Sequence, residues 1–334
     1  MKSSLDYTKY LKEKFPIKEG FRERMELLLG KSGAKEFFEI SYTPTPSSIR
    51  CNTLKISVVD LKKRLISYGW KIKQPFKEFP EVMVIEGRLE PGEIGKTKEH
   101  LLGYYYVQEI SSMLPLITLK PEPGEIILDL CASPGSKTTQ AAVMMKNKGT
   151  IIANEVSMGR IGILNSNLER CGVMNSIVTR KEGVALCNNL LKKSKIKFDK
   201  ILVDAPCSGE GTLRKSPKTF LMWNENMIKK IASTQRRLVE AAFKLLKVNG
   251  EMIYSTCTLA PEENEMIVDH LIKKFDVKIE NIDLPLKFRK GVYSWGENKM
   301  SKEVEKCLRL YPQDNNTDGF FVAKIKKLSE EIRE

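Results

Sequence analysis

Between residues 126 and 255, short apolar runs alternate with longer amphipathic stretches, and this alternation limits the possible folds of the chain more than any other feature. The runs lie at 126–130, 150–155, 176–179, 200–204 and 251–255 and are rich in aliphatic residues. Parallel strands covered on both faces read this way, so the pattern predicts a doubly wound α/β sheet. The helix before the fifth run is expected over 225–247, with Ile228, Ile231, Leu238, Ala242 and Leu245 on one face and Asn249-Gly250 as its stop. Pro261, followed by Glu262 and Glu263 as first-turn acids, is expected to open the next helix. Two last strands, near 277–282 and 320–325, bring the sheet to seven.

The residues before the sheet read differently. Residues 7–40 suggest two or three amphipathic helices, with Phe21, Met25, Leu28 and Leu29 at helical spacing and Gly30 near a stop. A strand at 49–55, a helix at 58–68 and strands at 70–73 and 82–85 suggest a small α+β module, and the turn-rich stretch 88–93 suggests a linker. The expected division is a helical segment at 1–47, a small RRM-like RNA-binding module at 48–95 and a catalytic domain at 96–334.

Charge points to a polyanionic partner: 56 Lys and Arg against 42 Asp and Glu leave +14, spread along the chain with no basic tail. The seven cysteines contain no Cys-x-x-Cys, and neither His100 nor His270 lies close to one in sequence, so neither a disulfide framework nor a metal site is expected. Residues 1–6 lack a signal-peptide core and no run reaches the ~20 apolar residues of a membrane span. The chain reads as a soluble protein of a reducing compartment, the cytoplasm, with no membrane partner and no obligate protein partner.

The candidate chemistry gathers at strand ends, where doubly wound sheets build their sites. After the first strand, Cys131, Ala132, Ser133, Pro134, Gly135, Ser136 and Lys137 form a turn entering a helix, which suits a nucleotide-like cofactor. It is not a phosphate loop: Ser136 interrupts Gly-Lys, and Leu130 stands where that motif has its first glycine. Glu155, 20 residues past Gly135, is placed either to hold a ribose or to be an ordinary strand-end acid. Lys137 lies in the first turn of a helix, where the macrodipole disfavours a cation, which suggests a specific partner. Asp204-Ala205-Pro206-Cys207 ends the fourth strand. Ser255-Thr256-Cys257-Thr258 ends the fifth, with hydroxyls able to donate to a thiolate.

These motifs, with Tyr106-Val107-Gln108-Glu109 and Asp318-Gly319-Phe320-Phe321, resemble the RNA 5-methylcytosine methyltransferases of the NOL1/NOP2/Sun type over about residues 50–326, and the loop Gly209-Glu210-Gly211-Thr212-Leu213-Arg214-Lys215 looks like that of the tRNA-modifying members. The resemblance implies a Rossmann-like class I methyltransferase domain, with a seven-stranded, mostly parallel sheet ending in an antiparallel hairpin, preceded by a smaller α+β RNA-binding region. It implies S-adenosylmethionine as cofactor, held by the 131–137 turn, Glu155, Arg160, Glu182 and Asp204. Glu182 departs from the family, which usually has aspartate near the adenine. Lys137 is expected beside Asp204, orienting that carboxylate and the base. The resemblance makes Cys257 the nucleophile that adds to carbon 6 of cytosine and Cys207 the residue associated with release, the reverse of the related DNA enzymes, where the Pro-Cys thiol attacks.

Arg50 and Asn52, on a strand similar to one that faces substrate in the family, and Arg214 and Lys215, with Trp223 nearby, are the expected RNA contacts. The expected substrate is transfer RNA first and ribosomal RNA second. A noncatalytic RNA-binding or assembly factor is the rival class, opposed by intact Lys137, Asp204, Cys207 and Cys257.

Overall fold

The computed structural model describes residues 4–87 and 89–333; residues 1–3, Arg88 of the expected linker and Glu334 lie outside it. A small antiparallel sheet comes first, from β1 (Ser47–Cys51), β2 (Lys71–Lys73), β3 (Val82–Glu86) and β4 (Tyr105–Val107), in the order β2-β3-β1-β4. β4 reaches past the expected boundary at residue 95. Ile49, Cys51, Met83, Ile85 and Tyr105 point to one face and pack on Leu61 and Leu65 of the helix Val58–Ser67.

The large sheet contains β5 (Ile126–Asp129), β6 (Thr150–Asn154), β7 (Ser176–Thr179), β8 (Phe198–Asp204), β9 (Leu246–Thr256) and β10 (Phe275–Glu280). It also takes β11 (Arg289–Lys290), skips the small hairpin β12 (Ser294–Trp295) and β13 (Asn298–Lys299), and is completed by β14 (Leu308–Leu310) and β15 (Phe320–Ile332). The order β7-β6-β5-β8-β9-β15 is parallel up to β9, and β15 lies antiparallel between β9 and β10. These are the seven expected strands. β14 and β11 add two more, giving nine: β14 pairs with the first residues of β15 and β11 with β14.

Two element ends differ from expectation in ways that matter to the site. The helix expected to run to 247 stops at Phe243, and β9 begins at Leu246. Pro261 opens a turn rather than a helix: Glu263 N–H donates to Ala260 O (3.1 Å) and Asn264 N–H to Pro261 O (3.2 Å), and the helix starts at Glu265. Gly30, expected near a stop, breaks the helix Glu19–Ser41 with φ +73°.

On the small sheet's second face, β1 is packed against the large domain. Arg50 is 2% exposed; its guanidinium donates to Gln108, to Ser136 O (2.8 Å) and to Thr139 Oγ1 (2.9 Å) and lies over Tyr106. Asn52, also 2% exposed, donates to Gly103 O and Cys171 O, both at 2.8 Å. These side chains fasten the small sheet to the helices Ser136–Met144 and Met158–Cys171, and neither is presented to a polyanion.

Candidate active site

The C-terminal edges of β5, β6, β8 and β9 lie side by side, so the residues that follow them converge. Lys137 is buried, and its Nζ stands 2.7 Å from Asp204 Oδ2 and 3.1 Å from Ser112 Oγ, over the ring of Phe320. Asp204 Oδ1 accepts from Ser255 Oγ (2.7 Å), so both carboxylate oxygens are oriented by the protein. The partner anticipated for Lys137 is therefore present; Ser112 was not singled out by sequence, and Ser255, read there as a hydroxyl beside the Cys257 thiolate, donates to Asp204 instead.

Cys207 Sγ and Cys257 Sγ are 3.2 Å apart, both thiols being free and partly exposed. The hydrogen bond to Cys257, burial, and the nearby Cys257 and Glu263 push the Cys207 thiol well above its ordinary range. The backbones of the two loops pack closely: Gly211 N–H donates to Cys257 O (2.9 Å) and Gly319 N–H to Gly211 O (2.8 Å). A Cβ at Gly211 would meet Gly319 O at 2.2 Å, so only glycine fits.

The turn after β5 has the expected shape. Gly135 sits at φ +100° and caps the helix Ser136–Met144, whose first N–H groups face the sheet edge. Glu155 follows β6; one oxygen accepts from Ser157 N–H (2.9 Å) and the other pairs with Arg160 at 3.2 Å, while Arg160 also donates to Ser133 O (2.6 Å). Each oxygen keeps a further lone pair. Asp129, at the end of β5, accepts from Thr138 Oγ1 (2.7 Å), but its buried Oδ1 has no partner among the described residues. Burial raises the Asp129 carboxyl to about 6. An orphaned carboxylate oxygen, a glycine turn exposing N–H groups and a strand-end acid suit a ligand carrying an ammonium, a carboxylate and a ribose, as S-adenosylmethionine does. The Cys131 thiol is pushed up by burial, so its backbone is what the turn uses. Glu182 is exposed and caps the helix Gly183–Lys193 by accepting from Ala185 N–H (2.8 Å).

Three of the four expected RNA contacts are structural. Besides Arg50 and Asn52, Arg214 is 8% exposed and donates to Thr43 O, Pro44 O, Thr317 O and Asn316 Oδ1, tying three segments together. Lys215 is half-exposed and pairs with Asp318 at 2.7 Å. Trp223 is buried against Phe21 and donates to Glu210 Oε1 (2.8 Å), so it offers no platform for a base. Charge and aromatic character were read correctly; their direction was not.

Comparison with known proteins agrees with this geometry. The family described as 16S rRNA methyltransferase RsmB/F matches residues 116–326, and the N-terminal domain of 16S rRNA methyltransferase RsmF matches residues 17–110. A tRNA (cytosine(49)-C(5))-methyltransferase of Pyrococcus abyssi is 40% identical over 295 residues, 88% of this chain and 92% of that protein. A ribosomal RNA small subunit methyltransferase F of Vibrio campbellii is 38% identical over 316 residues, 94% of this chain but 64% of that protein. The crystal structure of a methyltransferase homolog from Pyrococcus horikoshii superposes with a TM-score of 0.82 at 35% identity, covering 98% of this chain and all of that one.

Proposed function

This chain belongs to the RsmB/F methyltransferase family, and from that premise we propose that it transfers a methyl group from S-adenosylmethionine to carbon 5 of a cytosine in tRNA, through a covalent adduct on Cys257. The observation that supports two cooperating sulfurs is their separation of 3.2 Å, at which either thiol can donate to the other. The Cys207 thiol is pushed up by that hydrogen bond, by burial and by Glu263, and the choice of Cys257 for attack follows the family resemblance. The attacking sulfur must act as a thiolate, and a second thiol at this distance can donate a hydrogen bond to it as it leaves.

S-adenosylmethionine supplies the electrophilic methyl group; the residues suited to hold it are the 131–137 turn, Asp129, Glu155 and Arg160. Cys257 adds to carbon 6 of the base. Addition builds negative charge on the ring nitrogen, which must gain a proton there; Asp204, fixed by Lys137 and Ser255, is the group oriented to relay that proton, and the Lys137 ammonium is the cation beside it. Phe320 walls the same space. Carbon 5 of the adduct takes the methyl group. Cys207, beside the adduct and with its own proton given up to solvent, then accepts the carbon-5 proton, the electrons of that C–H bond re-form the 5,6 double bond, and the Cys257–carbon-6 bond breaks to release the thiolate. Carbon 6 is reached only when the cytosine is out of its stack, so the target lies in a loop, a junction or an extruded position.

The near full-length match to a tRNA-named relative supports tRNA first; the relatives named for the small ribosomal subunit support ribosomal RNA as the second reading. Two thiols this close stay reduced in the cytoplasm, where we place the protein, acting without an obligate protein partner. Purified chain with methyl-labelled S-adenosylmethionine and transcripts of tRNA and small-subunit rRNA tests this, with bisulfite mapping of the product. Label on one or a few tRNA cytosines is expected. Label on ribosomal RNA alone promotes the second reading, and equal labelling of DNA refutes the RNA assignment.

A further inference from the structure

The Cys207 loop rests on two buried polar side chains, Gln235 and Glu263. Gln235 lies among Ile228, Ala232, Leu238, Val239 and Ala242 on the core-facing side of the helix Glu225–Phe243. Its Nε2 donates to Pro206 O (2.8 Å) and to Glu263 Oε2 (2.9 Å). Glu263, expected as a first-turn acid of the helix opened by Pro261, lies in the turn before that helix and is 0% exposed. Its Oε2 also accepts from Ser208 N–H (3.0 Å), and its backbone carbonyl accepts from Tyr254 OH (2.5 Å). The carbonyl before Cys207 and the N–H after it are therefore both held by one amide–carboxylate pair. Ser208 Oγ and Thr258 Oγ1, 2.7 Å apart, join this loop to that of Cys257.

This arrangement costs stability. Glu263 Oε1 is buried with no partner among the described residues, and burial raises the carboxyl to about 7, with Glu210 adding to the rise. No cation is bonded to it among those residues. A buried, half-satisfied carboxylate is poor scaffold, since an apolar side chain would fill the space at less cost. What it does supply, above the pH at which it ionises, is a negative charge that bears on Cys207, one of two sulfurs within hydrogen-bond distance of each other.

We propose that Glu263, with Gln235, is the positioning residue that makes the two thiols unequal: the pair clamps the peptide groups on either side of Cys207, and the carboxylate keeps the shared proton on that sulfur. The inference rests on the two-thiol reading above and needs no RNA to be tested. The groups bearing on Cys207 are Cys257 from the loop after β9 and Glu263 from the turn before the helix Glu265–Lys274; those on Glu263 are Glu210, Gln235 and Ser208. If the charge is removed, Cys207 should give up its proton more readily.

Glu263→Gln keeps the shape and an accepting oxygen but removes the charge. Initial rates of iodoacetamide alkylation, measured against pH and resolved by peptide mass spectrometry, read each thiol separately. In the unmodified chain Cys257 should react at lower pH than Cys207. In Glu263→Gln the Cys207 midpoint should fall by about one pH unit, the effect of losing a nearby like charge, with affinity for S-adenosylmethionine unchanged. An unmoved Cys207 midpoint in a variant that still binds S-adenosylmethionine overturns the proposal. If that variant does not bind, Glu263→Asp, which retains the charge, decides: Cys257 reacting first supports the proposal, and Cys207 reacting first overturns it. Methyl transfer failing on every RNA would leave these alkylation results intact and would count against the substrate reading alone.

Discussion

Replacing Arg50 with alanine separates a structural cation from an RNA contact. The side chain makes three hydrogen bonds inside the protein, to Gln108, Ser136 O and Thr139 Oγ1, and stacks on Tyr106. Hydrogen bonds from a charged donor contribute roughly 1.5–3 kcal/mol each. Burial opposes them: the Arg50 guanidinium is lowered to about 10, a cost of about 3 kcal/mol. The remainder, with the cavity and the orphaned acceptors left behind, is a loss of about 3 kcal/mol. Unfolding entropy near 2.1 cal/mol/K per residue makes that a fall in Tm of about 4 °C for a chain of this length. The salt dependence of RNA binding should not change, because no phosphate contact is lost. Calorimetric melting and a salt titration of RNA affinity measure the two quantities. An unchanged Tm with a salt slope shallower by roughly 0.7–0.9, the signature of one lost phosphate contact, would refute the burial argument.

Other outcomes follow from the cofactor side and from buried charge. Glu155→Ala should weaken S-adenosylmethionine binding by at least about 1.5 kcal/mol, as read by titration calorimetry without RNA; equal affinity removes Glu155 from the ribose. Asp129 holds its proton more tightly folded than unfolded, since its native value is about 6 against 3.8. Its contribution is therefore fully present below pH ~4 and lost as pH rises through 6, by about 3 kcal/mol. Asp129→Asn should gain stability relative to the unmodified chain across that window in urea melts at stepped pH, and parallel curves would show that the carboxyl is not buried as described.

The sheet was legible because parallel strands covered on both faces leave unbroken apolar runs, as in Ile126–Asp129 and Thr150–Asn154, and local composition alone marks them. The strand-end motifs were legible for the same reason: once β5, β6, β8 and β9 are placed, Lys137, Glu155, Asp204, Cys207 and Cys257 must share an edge. β4 and β14 were not, since three residues are too few to show a period. Arg50 misled because a cation on a strand looks the same whether it faces RNA or its own protein, and its acceptor on Gln108 lies 58 residues away. Glu263 misled because a proline followed by acids is a sound helix-start signal, overridden here by the turn that carries the acid inward. A weak signal for that region did exist, in the polar Gln235 on an otherwise apolar helix face.

Trapping of the covalent intermediate tests the central claim most directly. Cys257→Ala and Cys207→Ala should both lose turnover, with opposite consequences on a denaturing gel of enzyme incubated with RNA and S-adenosylmethionine. Cys207→Ala should accumulate a protein–RNA band, because attack proceeds and release stalls, whereas Cys257→Ala and the double variant should show none. A band with Cys257→Ala that disappears with Cys207→Ala would reverse the roles of the two sulfurs and contradict the account.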